Sequence, residues 1–193
     1  MAPLPHVMCL VSSRNDLSVL PALQSAGVDS FQVRDKSLGG RALVDLTMRI
    51  LETSATVIVN DRLDVALAAG AHGVHLGASD LTVADARRLA PKLLIGATSR
   101  SRREIENAAD AGADYAGFGP IFPTSSKAGL PDPLGSSALG AALGPLPVLA
   151  IGGITPENVC ELPLGVGIAV IGGIWSQSDP VAAAARLVEA MRR

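Results

Sequence analysis

Aromatic side chains are scarce in this chain: three Phe, one Tyr and one Trp among 193 residues, or 3% of the sequence. Hydrophobic residues nevertheless reach 48%, so the core must be built from Ala, Val, Leu and Ile. That composition suits helices packed closely on strands better than an aromatic-rich sandwich. Charge is sparse as well. Charged residues make up 18% and the formal net charge is −2. The basic stripe that grips a phosphate backbone is missing, and nucleic acid is not expected as a partner. Cysteine is limited to Cys9 and Cys160, far apart and without CxxC spacing. Both read as buried free thiols rather than as a disulfide or metal pair. No apolar run reaches the ~18 residues of a membrane span, and no charged start followed by an apolar stretch marks a signal segment. A cytoplasmic protein without membrane association is the expectation.

What the chain does have is alternation. Short β-branched runs at Val7–Ser12, Ser30–Arg34, Thr56–Asn60, Gly73–Leu76, Leu93–Ala97, Tyr115–Phe118, Val148–Ile151 and Ile168–Ile171 read as strands. Helical patterns follow them at Leu17–Ala26, Gly40–Glu52, Leu63–Ala69, Thr82–Leu89, Arg102–Ala111, Ser136–Leu143, Thr155–Cys160 and Asp179–Met191. Ser37, Asp80 and Ser101 precede helices as candidate caps, and Asp179-Pro180 puts Pro in a first turn. Strands separated by single helices pair in parallel through crossovers. The expected architecture is α/β, a (β/α)₈ TIM barrel forming one compact domain over residues 1–193. It must be a short-looped one, since such barrels usually run to ~250 residues. A doubly wound open sheet gives the same alternation. Three segments repeat one αβ turn, Ala26-Gly27-Val28-Asp29, Ala69-Gly70-Ala71-His72 and Ala111-Gly112-Ala113-Asp114, where a helix ends at Gly and a strand follows. The longest irregular stretch, Pro120–Gly135, reads as a lid or clamp.

Polar residues crowd the C-terminal strand ends. Period-two alternation sends Gln32, Arg34 and Lys36 to one side, an amide and two cations suited to a diphosphate. A solvated Arg-Asp-Lys turn is the plainer alternative. Strand three ends at Asn60-Asp61 and strand four leads to Asp80. Two carboxylates, completed by water and phosphate oxygens, describe a Mg²⁺ site. Alternatively, Asp61 pairs with Arg62 or Arg34 and Asp80 caps the next helix. Paired glycines, Gly152-Gly153 and Gly172-Gly173, follow the last two strands, where a phosphate can reach backbone N–H groups. His75 belongs either to the site or to a structural hydrogen bond. His6 and His72 lie at strand entrances and are assigned no chemistry.

With these residues in view, the chain resembles the thiamine phosphate synthase family. The resemblance rests on Gln32-Val33-Arg34-Asp35-Lys36, Val59-Asn60-Asp61-Arg62, Gly73-Val74-His75-Leu76-Gly77, Phe118-Gly119-Pro120-Ile121-Phe122-Pro123-Thr124-Ser125-Ser126-Lys127 and Ala150-Ile151-Gly152-Gly153-Ile154-Thr155-Pro156. It implies a (β/α)₈ barrel that joins a hydroxymethylpyrimidine diphosphate to a thiazole phosphate and releases pyrophosphate. It further implies that Arg34, Lys36, Asn60 and Lys127 hold the diphosphate, with Gln32 nearby. Asp61 and Asp80 would ligate Mg²⁺, and Thr98 would lie near the pyrimidine and the diphosphate. Thr124, Ser126 and the backbone around Gly152, Gly153, Ile171 and Gly172 would take the thiazole phosphate. Small phosphorylated molecules are then the partners, and a homo-oligomer is left open.

The chain departs from the family pattern in places. Ser126 stands where Thr is usual, Thr98-Ser99-Arg100 replaces Ser-Thr-His, Ala78 replaces Gln, Gly172 replaces Ser, and Ser12-Ser13 replaces Thr-Asp. Arg100 is expected to reach either a substrate phosphate or solvent. The sister family of thiazole tautomerases carries a His where Pro120 stands here, and its proton transfer needs no grip on a diphosphate. A non-catalytic phosphate-binding barrel is the remaining alternative.

Overall fold

The computed structural model describes residues 4–124 and 131–192. Its eight strands are β1 (Val7–Val11), β2 (Ser30–Val33), β3 (Thr56–Asn60), β4 (Gly73–Leu76), β5 (Leu94–Ser99), β6 (Tyr115–Phe118), β7 (Val148–Ile151) and β8 (Gly167–Val170). All pair in parallel in sequence order, and β1 pairs with β8, so the sheet is a closed barrel and not the open alternative. Around it lie α1 (Leu20–Ser25), α2 (Gly40–Leu51), α3 (Leu63–Ala69), α4 (Val83–Leu89), α5 (Arg102–Asp110), α6 (Gly135–Ala142), α7 (Gly172–Trp175) and α8 (Pro180–Met191). Among the described residues no helix is long and apolar enough to cross a membrane.

Sequence periodicity explains the packing. On α2 the buried residues are Leu43, Leu46, Thr47 and Ile50, the spacing that keeps one helical face on the sheet. Outward strand residues such as Val57, Val59, Ile95 and Val170 join this aliphatic layer between barrel and helices. Inward residues Met8, Ile58, Leu94, Tyr115 and Leu149 fill the barrel itself. The repeated αβ turn also has a physical role. Gly27, Gly70 and Gly112 all adopt positive φ, and the polar residue two positions on accepts backbone N–H groups from the preceding strand. Asp29 takes those of His6 and Val7, His72 takes that of Val57, and Asp114 takes that of Ile95. These side chains satisfy strand-entry donors at the end of the barrel opposite the mouth.

Some expectations need correction. The helix expected at Thr155–Cys160 is only a 3₁₀ turn, Val159–Glu161. Asn158 diverts it: its side chain accepts the Thr155 N–H and donates to the Gly153 carbonyl, competing with helical bonding. The stretch Leu17–Ala26 splits into a 3₁₀ turn at Leu17–Val19 and α1. A short α7 follows β8, and its Trp175 indole donates to the Leu10 carbonyl at 2.7 Å. Ser101 caps α5 as expected, and Pro180 opens α8 as expected, with Asp179 as its cap. Gly39, not Ser37, precedes α2, and Thr82, not Asp80, caps α4. Both cysteines are free, but only Cys9 is buried, its thiol pushed up to about 12 by burial; Cys160 is exposed.

The barrel interior is where the single Tyr matters. Tyr115 and His75 stack at a tilt, ring centroids 5.6 Å apart, and both are buried. They fit because Gly96 and Gly117 leave room: a Cβ on Gly96 would overlap the Tyr115 ring and approach His75 Nδ1 to 2.6 Å. Gly96→Ala should therefore destabilise the fold by about 2 kcal/mol through overpacking, read as a lower midpoint in urea with folded spectra otherwise retained. Burial pushes the His75 imidazole down to about 4. Between that value and 6.5, the unfolded chain binds a proton that the folded barrel refuses, so stability falls as pH falls through this window. Replacing His75 with Gln should make the loss from pH 7 to pH 4.5 smaller by roughly 2–3 kcal/mol. Parallel losses in both proteins would show that His75 takes up its proton while folded.

Candidate active site

The C-terminal strand ends surround a cavity of about 760 Å³, a volume suited to small-molecule ligands. Gln32, Arg34 and Lys36 all line it, so the alternation of β2 continues past the strand's last residue. Asp35 points the other way. It accepts from the backbone and hydroxyl groups of Ser13 and Ser37, which hold its carboxyl well below the usual range. This carboxylate ties the β1 loop to the β2 loop and leaves the two cations to the cavity. Among the described residues neither Arg34 nor Lys36 makes a salt bridge. Gln32 is buried deeper and donates to the Met8 sulfur at 3.2 Å.

Asn60, Asp61 and Asp80 lie on the neighbouring arc of the rim. Asp61 adopts φ +64°, a left-handed conformation that costs a non-Gly residue ~1–3 kcal/mol. The flanking backbone holds it there. Arg62 N–H donates to the Asn60 carbonyl at 2.7 Å across Asp61, and Asp61 N–H donates to the His75 carbonyl at 2.8 Å. The result is a three-residue turn that aims the carboxyl inward. Asp80 is set by a tight turn in which its side chain accepts the Gly77 N–H at 2.7 Å. Burial raises the Asp61 pKa first, contact with the Asp80 carboxyl raises it further, and Lys36 and Arg34 act against both.

Neither plainer role for these carboxylates holds. Arg62 pairs with Asp64 at 2.6 Å instead of with Asp61, and Thr82 caps the helix that Asp80 was to cap. Two adjacent acidic groups facing unpaired cations form a hard-oxygen donor set that fits Mg²⁺ once phosphate oxygens and water complete it. Among the described residues no three His, Cys, Asp or Glu side chains cluster as a metal site, so protein ligands alone would not fill the shell.

The far arc is built from Thr98, Thr124, Gly152, Gly153, Ile171 and Gly172, all lining the same cavity. Ser126 and Lys127 lie outside the described residues. Gly152 and Gly153 have positive φ, and a Cβ on either would press into the 120–123 segment, at 2.5 Å from Pro120 Cβ and 2.5 Å from the Pro123 carbonyl respectively. The glycine pair therefore lets the β6 connection lie flat on the β7 connection. Ile121 and Phe122 N–H groups donate to the Ile151 and Gly152 carbonyls across this contact.

Arg100 lines the cavity, and the fold itself holds its guanidinium. Its guanidinium donates to the Gly119 carbonyl and the Asp132 carbonyl, both at 3.1 Å, bridging the start and the return of the β6–α6 connection. Leu134 and Gly135 N–H groups close the same connection onto Pro120 and Ile121. Sequence reasoning missed this clamp, because a carbonyl recognised across the fold leaves no local signature. It also left Tyr115 aside and His75 undecided. His75 hydrogen-bonds Tyr115 through Nδ1 at 3.2 Å and Thr98 through Nε2 at 3.0 Å. One signal for Tyr115 was present: it occupies the first strand position after the repeated turn, where the other two repeats carry Ser30 and Gly73.

Known proteins resemble this chain over nearly its whole length. The family described as thiamine monophosphate synthase matches residues 6–174. A thiamine-phosphate synthase from Chlorobium luteolum is 42% identical over 200 residues, spanning 97% of this chain and 94% of the relative. One from Methanoregula boonei is 47% identical over 174 residues, spanning 86% and 81%. A solved thiamine phosphate pyrophosphorylase from Pyrococcus furiosus superposes with a TM-score of 0.86 at 31% identity, covering 96% of this chain and 95% of that one. The chain belongs to the thiamine monophosphate synthase family and carries its enzymatic role, a transferase step of thiamine biosynthesis on phosphorylated small molecules.

Proposed function

We propose that the cavity couples hydroxymethylpyrimidine diphosphate to a thiazole phosphate, with Mg²⁺ as cofactor, giving thiamine phosphate and pyrophosphate. The observation that carries this is the adjacency of Arg34 and Lys36 to the Asp61–Asp80 pair on one rim, all lining one cavity. Arg34, Lys36 and Asn60 bind the diphosphate, joined by Lys127, and Gln32 orients the ring from below. Asp61 and Asp80 hold Mg²⁺, which when bound neutralises charge on the leaving diphosphate. Thr98 meets the pyrimidine diphosphate. Thr124, Ser126 and the backbone at Gly152, Gly153, Ile171 and Gly172 take the thiazole phosphate.

The benzylic-type C–O bond breaks and its electron pair stays on the departing diphosphate oxygen, whose charge Arg34 and Lys36 stabilise. The thiazole nitrogen then donates its lone pair to the exposed carbon, forming the new C–N bond. No protein nucleophile is required; orientation and charge stabilisation supply the rate. The reading treats residues 1–193 as one catalytic domain in a cytoplasmic setting, without nucleic acid or membrane. Tautomerase chemistry needs a base titrating near neutrality. Pro120 has no ionisable group, and the cavity's His75 has both ring nitrogens engaged.

Asp61→Asn tests the metal directly, because Asn tolerates the left-handed backbone that Ala does not. Coupling of the two substrates should fall by ~100-fold or more, equivalent to ~2.7 kcal/mol in the barrel's catalytic barrier. Thermal stability without Mg²⁺ should hold or rise, since the variant removes one of two like charges. Calorimetric Mg²⁺ binding in the presence of pyrophosphate should weaken in parallel. Full turnover in excess chelator, or wild-type Mg²⁺ affinity in the variant, would refute the assignment.

A further inference from the structure

We infer that the Tyr115–His75 pair is a positioning device: it fixes the Thr98 hydroxyl as a hydrogen-bond donor aimed at an acceptor atom of the pyrimidine diphosphate. The inference rests on the function proposed above and assigns roles to two residues that the proposed function leaves without one.

Hydrogen-bond directions leave one arrangement. The Tyr115 hydroxyl is buried in the barrel interior, and among the described residues its partner is His75 Nδ1 at 3.2 Å. A buried O–H left without an acceptor is costly, so this hydroxyl donates and Nδ1 receives. A neutral imidazole that accepts at Nδ1 carries its proton on Nε2. An Nδ1 that accepts from the Tyr115 hydroxyl bears no proton, so the ring is neutral. Nε2–H then donates to Thr98 Oγ1 at 3.0 Å. Having accepted that proton, the Thr98 hydroxyl turns its own outward, and Thr98 is exposed in the cavity. The opposite tautomer would strand the Tyr115 hydroxyl facing an N–H.

The pair is held in place by its surroundings. Gly96 and Gly117 leave the only space the two rings use, and a Cβ at Gly117 would come within 2.9 Å of His75 Cε1. The Tyr115 ring, buried in the barrel, cannot swing away without displacing packed interior. A fixed donor at Thr98 discriminates between ligand groups. It rewards a diphosphate oxygen or a pyrimidine ring nitrogen, and it opposes an amine presented at the same spot.

The test joins spectroscopy with kinetics. Nitrogen NMR of histidine-labelled wild type should show His75 as the Nε2–H tautomer, and Tyr115→Phe should release it to a mixture. Thr98→Val and Tyr115→Phe should each raise KM for the pyrimidine diphosphate about tenfold while KM for the thiazole phosphate stays within about twofold. Thr98→Ser keeps the donor and should recover most of the loss. Inhibition by inorganic pyrophosphate identifies the acceptor. Weaker inhibition in Thr98→Val points to a diphosphate oxygen, and equal inhibition beside a raised KM points to the ring. A wild-type Nδ1–H tautomer, or wild-type KM in Thr98→Val, overturns the inference. Failure of the wild type to couple the substrates at all would instead sink the function on which it rests, with the tautomer result standing by itself.

Discussion

Parallel pairing of β1 with β8 removes the two free edges that eight strands would otherwise expose, and it gathers every C-terminal strand end onto one rim. The site depends on that closure. In an open sheet, β2 and β8 would face different solvent, and Arg34 could share no cavity with Ile171 or Gly172. Closure also fixes which residues point inward. Gln32, Arg34, Asn60, His75 and Thr98 reach the cavity because each sits in phase with an interior residue lower on its own strand. Their neighbours Val33, Val59, Val74 and Ala97 pack outward against helices.

A barrel this small must also fill its own interior, and few aromatics are available for it. Most of the filling is aliphatic, but at the β4–β6 side a His–Tyr pair takes the space that Gly96 and Gly117 leave. Polar groups placed there must satisfy one another, and they do so in a chain that ends at the cavity. The same economy of space operates at the rim. Gly152 and Gly153 admit the 120–123 segment, so a glycine pair that invites a phosphate reading also has a packing reason. The two roles are compatible, since closely apposed backbone leaves N–H groups near the ligand with no side chain between.

Much of this was legible in the residues. The strand positions, the barrel and the convergence of Gln32, Arg34 and Lys36 follow from period-two alternation, which survives into the structure because both faces of each strand are packed. Asp61 and Asp80 were legible as a pair but not as free agents. The rival partner Arg62 is drawn off by Asp64, the cap role is taken by Thr82, and among the described residues Arg34 makes no salt bridge. What escaped the sequence was long-range or backbone-encoded. The Arg100 clamp spans 32 residues to Asp132, the positive φ of Asp61 has no compositional mark, and Asn158 dissolves an expected helix through side-chain bonds that a periodic pattern does not register. Cys160 surfaced for that last reason: the turn that replaced the helix presents it to solvent.

The order of chemistry around the rim gives these pieces one logic. On the proposed reading, β2 supplies cations, β3 and β4 supply the carboxylates, β5 supplies a fixed donor, and β6 to β8 supply small residues and backbone. A diphosphate laid across β2 to β4 meets positive charge on one side and a metal-binding pair on the other, so its charge is neutralised from both. The carbon it leaves then points toward β6 to β8, where the second phosphate holds the thiazole. Two like charges at Asp61 and Asp80, one on strained backbone, weaken the empty protein. On the proposed reading a bound cation relieves the repulsion between the two carboxyl groups, so part of what the empty rim costs in stability returns as affinity for the metal.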